Sequence, residues 1–556
     1  MQFFPTVDLK QYNKSDFTYD LLAGLTSSVM VVPQGMAYAM LAGLPAIYGL
    51  YAALICLVVY PILGTSVNLM VGPVALVAII SFNAVSHLYP SNTDGFITTM
   101  MLLGLLAGLI QLIFGIARLG MIANFLSKPV IQGFTGAAAI IIALSQIKYA
   151  IGVDINRAPT FLQNLINTIQ SLPKTHWQSL AITSVCIAII MLIRKWKKLF
   201  PAGLLVVIIS IILSYNFHWD EYGVAVVGTV PSGFPSLSIL PISYEIIIKL
   251  LPSAFVVAII SFIECMAISR SLSTPEQAQK LKPNSELIIL GISKILGSMF
   301  HGFPSSGSFT RSAVNQQAGA RTALSSLIGS VLIAMVLLFM APVFTYLPKA
   351  VLASIVLVSA IGMLNFKHEF RLFNLDRHDF YAFIFTFIAT LILGIQQGVF
   401  VGITVSLLML IWKLSKPNHA ILGELPESKG VYKNRDRFDD VTEDSDILIF
   451  RFDGDLNFAN IDHFIKSLTD VTSEKKNLKL IIMDFSSISN IDSTAIEQLI
   501  FIKKLLAKSS IELYISGMKG EVRDLFHKYQ LDSTFPVENR FFNIHQAVSH
   551  YRELTS

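Results

Sequence analysis

The sequence predicts a polytopic α-helical membrane protein of fourteen spans, arranged as a seven-plus-seven inverted repeat, followed by a small cytoplasmic α/β domain. Three observations predict it. Apolar runs long enough to cross a bilayer recur along the first three quarters of the chain. Basic residues fall in alternate connecting loops. After Lys416 the composition changes to that of a soluble domain with alternating strand and helix patterns.

The first observation rests on composition. Hydrophobic residues make up 53% of the 556 and charged residues 14%, and the mean hydropathy of +0.63 lies far above that of soluble domains. Spans are expected near 19–42, 46–63, 73–87, 97–117, 130–147, 178–193, 201–214, 250–269, 286–300, 308–319, 322–341, 348–364, 380–394 and 396–413. Lys10 and Lys14 precede a full-length apolar segment, so no cleavable signal peptide is expected.

The second observation fixes the count. With the N-terminus inside, the inner loops carry Arg118 and Lys128, then Arg194, Lys195, Lys197 and Lys198, then Arg270, Lys280 and Lys282, then Arg321, then Lys367, Arg371 and Arg377. The outer segments 88–95 and 215–223 carry neither lysine nor arginine. Omitting one short span would invert everything after it, so fourteen spans with both ends cytoplasmic is the consistent reading. The net charge of +5 therefore reports topology and not nucleic-acid binding. Cys56, Cys186 and Cys265 all sit in apolar runs, which gives neither a disulfide framework nor zinc spacing. The sequence contains no metal-ligand cluster, nucleophile–base pair or P-loop, so it predicts no enzyme, no metal and no cofactor.

Two of the spans are short and begin with helix breakers, Gly72-Pro73 in one and Pro304 and Gly307 in the other. Gln34 precedes Pro73 by 39 residues and Glu264 precedes Gly307 by 43, so the breaks fall at matching places in two halves. A repeat of seven spans must be inverted in the membrane, and paired broken segments point to a transporter's substrate site. A helix that starts in the bilayer interior leaves backbone N–H groups unpaired and carries a partial positive charge there. Two such starts facing each other suit an anion. Arg311 sits in the first turn of the second broken helix, where both the dipole and the bilayer disfavour a cation. A negative ligand explains it best; the alternative is a permanent structural pair with Glu264.

These residues resemble the sulfate permease family of anion transporters. The resemblance is carried by 32-VPQGMAYAMLAGLPAIYGLYA-52, by GTS and VGP within 64–73, by 307-GSFTRSAVNQQAGART-322 and by the C-terminal domain. It implies a core domain and a gate domain, a homodimer, and an elevator motion of core past gate, with a small anion such as sulfate, bicarbonate or a dicarboxylate as substrate. It also implies that Gln34 and Tyr38, one turn apart on the first span, line the site. Val74 and Ala75 would offer backbone N–H groups from the third span, Phe309 and Thr310 from the tenth beside Ser308, and Arg311 the positive field.

Glu264 matches the acidic position that the family associates with cation coupling. A carboxyl among apolar neighbours is harder to ionise and can carry a proton near neutral pH, so proton-coupled sulfate uptake is the main expectation. Sodium-coupled bicarbonate or proton-coupled dicarboxylate transport is the alternative. Lys294 departs from the family pattern; it is expected either to snorkel to the interface or to pair with Glu264. His301 is expected at the outer rim, as a plain rim residue or a pH sensor.

The chain is expected to divide into a transport domain (1–416), a linker with the start of the next domain (417–445) and the body of that domain (446–556). Strands within 447–460, 478–492 and 511–517 alternate with helices over 461–472 and 493–509. This resembles a STAS domain. Asp492-Ser493-Thr494 matches the loop phosphorylated on serine in bacterial antagonists, which makes Ser493 a candidate phosphosite, although Ser493 also fits a helix N-cap. The domain is expected to bind a cytoplasmic regulator or to assist dimerisation. Nucleobase permeases share the architecture but lack this tail, and a membrane sensor that has lost transport is the reading from another class. The brevity of the loops and the type of tail suit a bacterial inner membrane.

Overall fold

The computed structural model describes residues 5–6, 12–91, 93–124, 127–155, 158, 160–196, 200–238, 240, 243–364, 377–475 and 477–555. Lys10, Lys197, Lys198, Lys367 and Arg371, counted above among the cations near the spans, lie outside the described residues. The chain divides into two compact units, Met1–Ser406 and Leu407–Ser556.

Each of the fourteen apolar segments holds a helix. These are α1 (Lys14–Leu41), α2 (Ile47–Leu63), α3 (Ala75–Ser86), α4 (Asp94–Ile116), α5 (Lys128–Ala150), α7 (Trp177–Trp196), α8 (Ala202–Phe217), α9 (Tyr244–Ser271), α11 (Pro283–Met299), α12 (Phe309–Gln317), α13 (Leu324–Met335), α14 (Lys349–Met363), α15 (Arg377–Leu393) and α16 (Ile395–Ser415). Among the described residues, seven helices are long and apolar enough to cross a membrane and four further apolar helices are shorter. Helices α6 (Phe161–Ser171) and α10 (Pro275–Lys280) lie between these segments and were not expected. The element order α1, α2, β1 (Val71–Gly72), α3, α4 recurs as α9, α11, β2 (Ser306–Gly307), α12, α13 after the short α10 is set aside.

Glycines let the helices of this repeat meet backbone to backbone. A Cβ on Gly49 would stand 1.9 Å from the Gly35 carbonyl oxygen, one on Gly24 2.2 Å from that of Ser325, and one on Gly108 2.7 Å from that of Gly291. Small residues at such crossings supply dispersion contact where lipid offers no hydrophobic drive. They join α1 to α2, α1 to α13 and α4 to α11, and α9 packs on α4. A second group forms around α5, which meets α14 and α15, with α14 on α7 and α7 on α8. The two groups touch mainly where α1 meets α14 and α8 and where α3 meets α5.

Two buried carboxylates tie the halves of the first group together. Asp20 of α1 accepts from the Arg321 and Thr322 amides at 2.8 and 3.0 Å and from the Thr322 hydroxyl at 2.5 Å. Glu286 of α11 accepts from the Thr65 amide and hydroxyl, each at 2.6 Å, and from the Tyr60 hydroxyl at 3.0 Å. Charged acceptors that take several donors make strong links, and here each crosses from one half of the repeat to the other.

The second unit is an α/β domain. Its sheet runs β4 (Tyr432–Asn434), β3 (His419–Glu424), β5 (Ile447–Phe452), β6 (Leu480–Asp484), β7 (Glu512–Ser516), β8 (Arg540–Phe541). β5 to β8 are parallel, and β3 is antiparallel to both its neighbours. Helices α17 (Ile461–Glu474), α18 (Ser493–Lys508), α19 (Gly520–Lys528) and α20 (Ile544–Thr555) complete it. The aromatic core includes Phe450, Phe452, Phe464 and Phe485.

The expectation that Ser493 caps α18 is corrected. Asp492 is the N-cap: its carboxylate accepts from the Ala495 amide at 2.9 Å and from the Phe458 amide at 2.7 Å. A carboxylate with two oxygens serves two donors at once, and Ser493 becomes the exposed first residue of the helix.

Two outcomes follow. Gly49→Ala forces a contact that no rotamer relieves and lowers thermal stability by about 2 kcal/mol, whereas Gly297→Ala, with no atom within 4 Å of the new carbon, leaves it unchanged; thermal unfolding in detergent checks both. Asp492→Ala speeds hydrogen exchange at Phe458 and Ala495 by roughly fivefold, the loss of about 1 kcal/mol of capping, and Ser493→Ala does not.

Candidate functional site

The two helix breaks meet. β1 and β2 pair antiparallel, with Val71 opposite Gly307 and Gly72 opposite Ser306. Pro73 has no N–H to extend the ladder, so the chain leaves β1 and turns into α3 at Val74, just as it leaves β2 and turns into α12 at Ser308. Further bonds lock this crossing. The Ser308 amide donates to the Met70 carbonyl at 3.1 Å, and the Met70 amide donates to the Ser312 hydroxyl at 2.9 Å. Asn68 and Gln316 both donate to the Leu272 carbonyl at the end of α9.

Backbone amides of the first turns of α3 and α12 are thereby presented at one place. Val74 lacks a side-chain cap, and Ser308 reaches the Arg311 amide only at 3.5 Å. These unmatched donors make the crossing electropositive.

Arg311 adds a full charge. It is 1% exposed, and its Nη1 and Nη2 have no hydrogen-bond partner among the described residues. A Cβ on Gly72 would lie 3.3 Å from Arg311 Nη2, so the guanidinium packs closely against the β1 backbone. Tyr38 and Glu264 are within electrostatic reach of it. No ion pair joins Arg311 to Glu264 among the described residues, so the permanent strut is not formed.

The remaining expected residues fall as follows. Tyr38, Val74, Ala75 and Ser308 are buried around the crossing, while Phe309 and Thr310 are exposed at the start of α12. Ser308 and Thr310 share a hydroxyl contact at 3.2 Å. Gln34 is buried with its Oε1 unpartnered, one turn below Tyr38. It lines a small cavity of about 20 Å³ together with Met30, Pro33, Arg194 and Ile355.

Glu264 accepts from the Ser306 hydroxyl at 2.8 Å, and that same hydroxyl lies 3.2 Å from the Ser261 carbonyl. A hydroxyl has one proton to give, so these are alternatives. With Glu264 protonated, the carboxyl donates to Ser306 and Ser306 donates to Ser261; with Glu264 ionised, Ser306 turns to the carboxylate.

Lys294 takes neither expected role. It is 2% exposed, so it does not snorkel, and it donates to Gln111 Oε1 at 3.0 Å without a carboxylate partner among the described residues. Gln111 in turn donates to the Ala258 carbonyl and the Ser261 hydroxyl. His301 Nδ1 bonds to the Ser236 carbonyl at 2.9 Å.

Three participants escaped the sequence reading. Arg194 counted only as a loop cation, yet it lines the Gln34 cavity within electrostatic reach of Tyr38. Ser306 lay between the two breakers Pro304 and Gly307 but carried no distinguishing signal. Gln111, 183 positions from Lys294, offered none either.

The sulfate permease family profile matches residues 17–386 and the STAS domain profile residues 440–547. The chain is 34% identical to sulfate transporter 4.1, chloroplastic, of Arabidopsis thaliana, over 97% of this chain and 81% of that protein. It is 28% identical to a probable sulfate transporter of Mycobacterium tuberculosis, over 98% and 97% of the two chains. Among solved structures, murine Solute Carrier 26 family member A9, an anion transporter in the inward-facing state, superposes with a TM-score of 0.90 at 24% identity, covering 99% and 94%. The transmembrane domain of the cyanobacterial bicarbonate transporter BicA gives 0.60 at 21% identity, covering 71% of this chain and 98% of that one. These two likenesses are of fold.

Arg311→Gln removes a guanidinium whose terminal nitrogens have no hydrogen-bond partner among the described residues. The expected outcome is an unchanged thermal midpoint with sulfate affinity lowered at least tenfold, about 1.4 kcal/mol, by calorimetry. A structural strut would instead lose several degrees.

Proposed function

Because the chain belongs to the sulfate permease family, we propose that it is a secondary active transporter that takes up sulfate with protons by an elevator motion. The observation that carries this reading is the buried Arg311 guanidinium with unmatched Nη atoms, set beside two helix starts.

An oxyanion at this place is held by Arg311, by backbone amides from Val74, Ala75, Phe309 and Thr310, and by the side chains of Gln34, Tyr38 and Ser308. Tetrahedral oxygens suit donors arriving from two opposed helices and a planar fork. Glu264 is the proton carrier. A dianion entering beside it favours the protonated carboxyl, and the proton on Glu264 in turn lowers the repulsion the dianion meets, so the two are taken up together.

Ser306 registers that proton. Protonation reverses the direction of its hydrogen bond, and Ser306 is part of β2, which holds the crossing. The moving body in this reading is the group of α1–α4, α9 and α11–α13, whose glycine crossings and carboxylate ties make it rigid; it slides against α5, α7, α8 and α14–α16. The substrate site travels with the first group because β1, β2, α3 and α12 all belong to it. The same reading places both termini in the cytoplasm at a bacterial inner membrane, pairs two copies, and gives the STAS domain a regulatory role in which Ser493 is open to phosphorylation.

Proteoliposomes test the coupling. An inward proton gradient drives sulfate accumulation by the wild type; Glu264→Gln accumulates no more with the gradient than without, yet still exchanges internal for external sulfate. An unaltered pH profile in Glu264→Gln contradicts coupling through this residue, and sodium-driven accumulation of bicarbonate in place of proton-driven accumulation of sulfate favours the bicarbonate alternative.

A further inference from the structure

We propose that the protein carries a second anion site, separate from the transport site, that takes a small amphipathic organic anion: an aromatic ring bearing a carboxylate or sulfonate. The site is a cavity of about 610 Å³ at the far end of α3 from the β1–β2 crossing. The cavity runs along α3 from Ile79 to Ser86, so its near edge stands roughly 6 Å of helix rise from Ala75 and its far edge roughly 17 Å. On the proposed topology this end of α3 faces outward.

Volume and lining define the occupant. The cavity is far too large for a lone oxyanion to touch opposite walls, and it falls within the range of small-molecule sites. Lys148 and Lys249 bring positive charge to it, and among the described residues no aspartate or glutamate lines it. Lys249 also pairs with Glu245 on the surface at 2.6 Å, and the Lys148 ammonium stands over the Tyr149 ring, 4.7 Å from its centroid. Phe82, Tyr89 and Phe161 supply ring surface, and Gln396, which accepts from Ser253 at 3.0 Å, supplies an amide. Cationic groups at one edge and aromatic walls elsewhere suit a ring with an acidic substituent and disfavour both a cation and a neutral sugar.

Its walls come from both helix groups. α3 and α9 belong to the group that carries the transport site, whereas α5, α6 and the turn between α15 and α16 belong to the other. An occupant that touches both sides binds one relative position of the groups better than another, so it arrests the cycle without competing for the transport site.

Naphthalene-2-sulfonate is the probe, titrated by calorimetry into the purified full-length protein, a readout that needs no transport. The expected result is one saturable site, weakened at least tenfold in the Lys148→Gln/Lys249→Gln double variant and undiminished by excess sulfate. Ser145→Trp, which crowds the cavity and removes no charge, weakens binding at least tenfold as well. In proteoliposomes the probe lowers the maximal rate of sulfate uptake by the wild type without raising KM, and the double variant transports normally but resists it. Absence of saturable binding, equal affinity in the variants, or displacement of the probe by sulfate overturns the proposal; the last outcome assigns the probe to the Arg311 site.

Discussion

Unpaired backbone amides in the interior of a bilayer are the constraint on which the rest of this molecule depends. A chain that breaks its helices at that depth must meet those groups with protein or with a ligand. Here the breaks are crossed as a short antiparallel ladder, and the amides beyond the ladder are left facing a common place. Gly72 and Gly307 allow close approach, of the Arg311 guanidinium to one strand and of Leu69 and Cys265 to the other. The irregular backbone is thereby gathered at one electropositive crossing, and regular helices enclose it.

Three acids in the same group of helices differ in how far their hydrogen bonds are saturated. Asp20 and Glu286 are fully buried and take three or more donors each, so their bonds are fixed ties between halves. Glu264 is partly buried and accepts from one hydroxyl that has a second acceptor within reach. A group with one exchangeable bond can change its proton without dismantling its surroundings; a saturated one cannot. The buried Lys294 makes one hydrogen bond among the described residues, to Gln111, which links α4, α9 and α11.

Much of this was legible in the sequence. Gly72-Pro73 and the Pro304–Gly307 stretch announced the breaks because proline and glycine act locally, on their own backbone. The fourteen apolar runs announced helices because hydropathy is likewise local. What was not legible depends on partners far apart in the chain: Asp20 with Thr322, Glu286 with Thr65, Lys294 with Gln111. A buried charge is visible in a sequence, but its partner is not, which is why Lys294 was assigned to Glu264 or to the interface. Ser493 was misplaced by a single residue because serine and aspartate are both good caps, and only the position of Phe458 decides between them. Strand β3 went unmarked since His419–Glu424 follows directly on an apolar helix and shares its composition.

The central claim is that Arg311 and the two helix starts hold an anion together. Selenate, a heavier analogue of sulfate, tests it most directly through anomalous scattering from crystals of the full-length protein. The account predicts one peak within bonding distance of Arg311 Nη1 or Nη2 and of the first amides of α3 and α12. A selenium peak placed elsewhere, with the Glu264 carboxylate closed onto Arg311, would contradict it.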